Sequence, residues 1–136
     1  MRRPRSDLTV VHASPNDFWR SPTVDATDEE LADTCGRLGT RRVVYGHIQR
    51  AYVRRLPSVV VVNSGSVSLS YDGDPRAAYA LVDDDQITIR RVEYDVDREV
   101  AMLFQMQRPD ATWVADMLRK GTPVPHPGHT KKDESN

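Results

Sequence analysis

Apolar residues along this chain come in short runs that stop on polar or turn-forming residues: Leu8-Thr9-Val10-Val11, Val43-Val44-Tyr45 and Val59-Val60-Val61-Val62. Runs of that length rich in β-branched side chains predict strands. The four consecutive valines leave neither alternating set polar, so that strand is expected to be buried and central. The first strand ends on His12, ahead of the turn formers Ala13-Ser14-Pro15-Asn16-Asp17. A second strand, over residues 41–45, ends on Gly46-His47. Between the two, Thr27-Asp28-Glu29-Glu30 is a capping box that opens a helix through about Cys35, with Gly36 or Gly39 to end it.

Residues 51–55 alternate as a further strand, and Asn63-Ser64-Gly65-Ser66 and Asp72-Gly73-Asp74-Pro75 read as turns. Residues 77–82 and 87–92 are spaced to pair as a hairpin across Asp83-Asp84-Asp85. From about Asp97 the period becomes helical, through Val100, Leu103, Phe104 and Met106, and again through Trp113, Val114, Met117 and Leu118 after Pro109. Residues 121–136 hold three Pro and two Gly with a polar end, which predicts a disordered tail. The expected organisation is a basic flexible start over residues 1–7, one domain over 8–120 and the tail. No internal repeat is apparent.

At 136 residues the chain is long enough for one core and not for two. Nineteen basic and 20 acidic residues give a formal charge of −1, so no global field draws it to nucleic acid or an anionic membrane. Cys35 is the single cysteine, which excludes an internal disulfide and suits a reducing compartment. The basic start is followed by too few apolar residues for an export signal or a membrane span. A cytoplasmic protein is expected.

Two histidines, His12 and His47, stand at the ends of predicted strands. The carboxyl ends of strands are where ligands gather in parallel and mixed sheets, so two imidazoles delivered to one edge are candidates to share a metal. The alternative is a pair of histidines bonded to nearby backbone. Arg50, Arg54 and Arg55 follow the second histidine and either steer a phosphate or form a solvated face. Asp83-Asp84-Asp85 reads as a hairpin tip, because no ligand loop spaced for calcium surrounds it. His126 and His129 flank Pro127-Gly128 and suggest only adventitious metal contact. Cys35 lies near Leu31 and Leu38 and reads as a small core residue rather than a nucleophile, since no basic neighbour would activate its thiol.

Five segments together resemble a known family: Val11-His12-Ala13-Ser14-Pro15, Gly46-His47-Ile48-Gln49-Arg50, Val61-Val62-Asn63-Ser64-Gly65-Ser66-Val67, residues 71–80, and residues 90–95. In this order, from about Leu8 to about Gly121, they resemble the carboxyl-terminal half of the calcineurin-like metallophosphoesterases, in their small bacterial phosphodiesterase branch. The resemblance implies an α/β chain, half of a four-layer α/β/β/α sandwich, with a mixed sheet and two carboxyl-terminal helices. It carries His12 and His47 over as ligands of a divalent metal, manganese first, with iron or zinc as alternatives. Gln49 stands where the family has a second histidine, and its neutral carbonyl oxygen is a poorer donor. Ala13 and Ser64 replace the family's Gly and Pro. The family segments that supply the bridging carboxylate, the remaining ligands and the catalytic histidine have no counterpart before Leu8, so no catalytic residue carries over.

These expectations describe metal-dependent phosphoester hydrolysis that is incomplete, and weak or absent, in this chain alone, with Arg50 as the candidate substrate contact. The alternative is a non-catalytic remnant or binding module of the same fold, or a chain whose true start lies upstream. The substrate is open. An apolar sheet face left without its partner layer implies a homo-oligomer or a companion chain.

Overall fold

The computed structural model describes residues 1–84 and 86–128. Five strands form one mixed sheet: β1 (Arg2–Arg5), β2 (Leu8–Val11), β3 (Arg42–Tyr45), β4 (Tyr52–Arg55) and β5 (Val60–Asn63), in the order β1-β2-β3-β5-β4. β2, β3 and β5 are parallel, whereas β1 and β4 pair antiparallel at the two edges. The valine run therefore does lie inside the sheet, between β3 and β4, with Val61 and Val62 fully buried.

A β2-helix-β3 crossover is what lets two neighbouring strands run parallel. The helix, α1 (Asp28–Leu31), starts at the capping box, with Glu30 N donating to Thr27 Oγ1 at 3.2 Å and Thr27 N to the Glu30 carboxylate at 2.7 Å. It then widens into a π-helical turn, Ala32–Gly36, which the apolar spacing alone does not distinguish from continued α-helix. Gly39, in the left-handed conformation at φ 67°, takes the chain out toward β3. Leu31 and Cys35 from this segment pack with Val11, Val43, Tyr45 and Val61 from one alternating set of sheet positions. The other set is less evenly covered: Val62 is buried, whereas Val10 remains 37% exposed.

Residues 1–7, expected as a flexible start, carry β1 instead. Without it β2 would present unpaired backbone groups at an edge. Pro4 and three arginines suit such a position, and because β1 buries nothing it leaves no apolar alternation to read. Asp7 then receives Arg5 at 3.3 Å and Arg42 at 3.4 Å.

A separate two-stranded ribbon follows, β6 (Ala77–Asp83) and β7 (Gln86–Val92), paired from Ala77↔Val92 to Asp83↔Gln86. Asp85, at its expected tip, lies outside the described residues. Two helices close the chain, α2 (Val96–Gln105), capped by Asp95, and α3 (Ala111–Lys120), ended by left-handed Gly121. Val100, Ala115 and Leu118 form a second small core between them. The first residues of the expected tail are tied to α3: Trp113 Nε1 donates to the Val124 carbonyl at 2.7 Å, and the His126 ring stands edge-on to the indole. His129 and the rest of 129–136 lie outside the described residues. Among the described residues no helix is long and apolar enough to cross a membrane.

Leu31 is wholly buried between α1 and the sheet, while Thr27 acts only through its cap. Leu31→Ala should therefore lower unfolding free energy by about 2–5 kcal/mol and Thr27→Ala by about 1 kcal/mol. Urea melts of the two variants check the ranking, and equal losses would contradict it.

Candidate functional site at the strand ends

The parallel register places Val11, Tyr45 and Asn63 in one row across the sheet. The residues that follow them, His12, Gly46 and Ser64, consequently leave the sheet side by side. Two further backbone bonds extend the ladder past the strands: Gly46 N donates to the His12 carbonyl at 3.0 Å, and Ser64 N to the Tyr45 carbonyl at 3.2 Å. A tight turn comes next, with Ile48 N donating to the Gly46 carbonyl at 2.8 Å. His47 and Gln49 flank Ile48 in left-handed backbone, at φ 66° and 57°.

The turn brings the two expected histidines together. His12 Nε2 and His47 Nδ1 are 3.3 Å apart, and the rings meet edge to face with centroids 5.2 Å apart. Two nitrogens ligating one tetrahedral ion at about 2.0–2.1 Å each stand about 3.3–3.4 Å from one another. That spacing therefore fits one shared cation. It equally fits a direct hydrogen bond between one protonated and one bare ring nitrogen. The third expected residue, Gln49, keeps its Oε1 buried with no hydrogen-bond partner among the described residues. An orphaned carbonyl oxygen in the same turn is chemically suited to an added weak ligand. A pair of ions does not fit this chain by itself: among the described residues no three of His, Cys, Asp and Glu cluster, and no carboxylate bridges the histidines.

The sequence marks Asn63 as a turn former within a segment of the resemblance and assigns it no role, yet it organises the site. Fully buried, it donates from Nδ2 to the Gly46 carbonyl at 2.5 Å and accepts at Oδ1 from Gly65 N at 3.0 Å. A buried amide directly after four valines was the available signal. Asp72 was likewise missed: it accepts from Ala51 N at 3.1 Å, just beyond the turn, and pairs with Arg91.

The three arginines part company. Arg50 is half-buried, makes no hydrogen bond or ion pair with the described residues, and lines a cleft of about 300 Å³ with Thr23, Val24, Asp25 and Ile48. Arg54 is used structurally, donating to the carbonyls of Val24 and Ala26 ahead of α1 and standing 3.6 Å from Asp28. Arg55 is exposed on the edge strand. Tyr45 donates to the Pro22 carbonyl at 3.0 Å and meets Tyr52 at 2.6 Å, which fastens the loop after His12 to the sheet. Burial raises the pKa of both phenols, so they remain protonated donors. Cys35 is a core residue whose thiol is pushed up to about 11 by burial.

Two solved structures share this architecture. A metallophosphoesterase from Sphaerobacter thermophilus superposes with a TM-score of 0.73 at 24% identity, covering 89% of this chain and 59% of that one. A hypothetical protein, PH1004, from Pyrococcus horikoshii OT3 superposes with a TM-score of 0.72 at 17% identity, covering 86% of this chain and 47% of that one. The chain thus has the α/β fold of part of a metallophosphoesterase, as the sequence resemblance implies, and spans 59% and 47% of the two chains' lengths. No family model and no curated protein matches it.

Two outcomes are expected from these environments. A thiol reagent at pH 8 should leave native Cys35 unmodified and titrate it fully in denaturant; rapid native labelling would contradict its burial. Burial alone would raise the Asp72 pKa, but hydrogen bonds from Arg91 and Ala51 N outweigh it and hold the carboxyl below its ordinary value. A pKa depressed on folding contributes stability above the unfolded value of about 3.9 that is lost as pH falls below it. Asp72→Asn should accordingly flatten the loss of stability between about pH 5 and pH 2, and an unchanged acid limb would contradict the pairing.

Proposed function

We propose that this chain is part of a metal-dependent phosphoester hydrolase, in which His12 and His47 jointly hold one divalent cation and further ligands come from a second polypeptide. The observation that carries this reading is the 3.3 Å approach of the two ring nitrogens at the carboxyl ends of parallel strands. The fold shared with part of a metallophosphoesterase supports it. Manganese is the first candidate, with iron or zinc next, since imidazole donors suit all three.

A bound cation supplies charge that polarises a phosphoryl oxygen and lowers the pKa of a ligated water. The chain's own residues do the positioning. The extended ladder fixes His12, Asn63 fixes the Gly46 carbonyl, and Gln49 offers an unpartnered oxygen to the same region. Arg50, free of protein partners among the described residues, is the candidate contact for an anionic substrate, although Asp25 on the same cleft offsets part of its field. Because the bridging carboxylate is lacking, the chain by itself is expected to turn over no phosphoester.

A partner is also favoured by one face of the ribbon, where Tyr79, Leu81 and Val92 remain exposed. A second copy or a companion chain is the proposed cover. The competing reading, a binding module that keeps the scaffold without chemistry, is favoured by Gln49 at the third ligand position.

Calorimetric titration with Mn²⁺ and Zn²⁺, beside turnover of a generic phosphodiester, separates the two readings. We expect one ion per chain, lost in His12→Ala and His47→Ala, no turnover by the chain alone, and turnover once the product of the adjoining upstream reading frame is added. Absence of ion binding together with absence of turnover in that mixture would leave only the binding module.

A further inference from the structure

The turn holding His47 and Gln49 keeps two non-glycine residues in left-handed backbone, which is strained for both. Such a conformation persists only where its surroundings over-determine it. On the entry side the His12 carbonyl and Asn63 hold Gly46. The exit side is held from elsewhere. Tyr71 N donates to the Gln49 carbonyl at 2.9 Å, and Asp72 Oδ2 accepts from Ala51 N at 3.1 Å. The same carboxylate oxygen receives Arg91 Nη2 at 2.5 Å.

Arg91 belongs to β7, on the ribbon, not to the sheet that carries the histidines. Its guanidinium also reaches the carbonyls of Asp74 at 3.4 Å and Arg76 at 3.5 Å, and the Asp74 carboxylate at 3.8 Å. Asp72 and Arg91 are mostly shielded, at 17% and 18% side-chain exposure, so their charge-assisted bond is weakened less by water than the chain's exposed pairs. Gly65 closes the same joint: a Cβ there would stand 2.7 Å from Ala78 Cβ and 2.9 Å from Ala51 Cβ, so the ribbon and the exit of the turn approach as closely as glycine permits. The side-chain hydrogen bonds on the exit side thus converge on Asp72, which Arg91 holds from the ribbon.

We propose that Asp72 and Arg91 are a positioning pair that holds His47 against His12 from the second sheet, and so sets the cation affinity of a site neither residue touches. The affinity part rests on the reading of the histidine pair as a cation site; the positioning part does not.

The test uses the full chain and three variants. Asp72→Asn keeps the acceptor for Ala51 N and removes the charge, Asp72→Ala removes both, and Arg91→Lys keeps the charge without the planar fork. In cation-free protein, a nuclear Overhauser contact between the His12 and His47 ring protons reports the turn directly. Competition titration with Zn²⁺ reports affinity. We expect Asp72→Ala to lose the ring contact and about 10–100-fold in Zn²⁺ affinity, with the milder variants between it and the natural chain. Amide resonances of β2, β3 and β5 should stay in place, which a general loss of structure would not allow. If Asp72→Ala fails to fold, Asp72→Asn and Arg91→Lys carry the same comparison. A ring contact absent from the natural chain, or unchanged in the folded variants, overturns the positioning role. Absence of Zn²⁺ binding in the natural chain removes the cation reading, and the ring contact alone then decides.

Discussion

The parallel register of β2, β3 and β5 is the constraint from which the candidate site follows. Because Val11, Tyr45 and Asn63 share one row, the next residue of each strand emerges at one edge, and His12 and His47 meet although 35 positions separate them. A one-residue slip of β3 would exchange Val43 and Tyr45 for Arg42 and Val44 on the core face. It would also turn His47 away from His12. The packing of Leu31 and Cys35 against Val43, Tyr45 and Val61 therefore fixes the chemistry at the edge as firmly as it fixes the fold.

Polar groups then convert that placement into a defined geometry. Asn63 spends both ends of its amide on the two loops at the site, and the Tyr45–Tyr52 contact ties the loop after His12 to the sheet. Each is buried or half-buried, where an unsatisfied polar atom costs about 1–3 kcal/mol. Gln49 is the exception. Its Oε1 has no partner among the described residues and stands in a turn already strained at two positions. Among the described residues no carboxylate joins the two imidazoles and the amide, as a paired-ion centre needs.

Much of this was legible in the residues. Strand cores and the hairpin showed themselves through β-branched runs, α1 through its capping box, and the two candidate ligands through their places at strand ends. Other parts were not. β1 escaped because a strand that buries nothing carries no alternation, and the π-helical turn because its apolar spacing matches an α-helix. Asn63 and Asp72 both sit in segments with turn composition, and their work depends on partners 17 and 19–21 positions away. Arg54 looked like Arg50 in sequence; only the fold shows that one clamps backbone carbonyls while the other lines a cleft.

The proposed function stands or falls on whether His12 and His47 jointly ligate one cation. X-ray absorption on the zinc-loaded chain measures this most directly, since imidazole scattering counts the histidines bound per ion at about 2.0–2.1 Å. We expect two imidazoles per zinc in the natural chain and one or none in His47→Ala. Zinc bound without imidazole, or with the same imidazole count in both proteins, would contradict it.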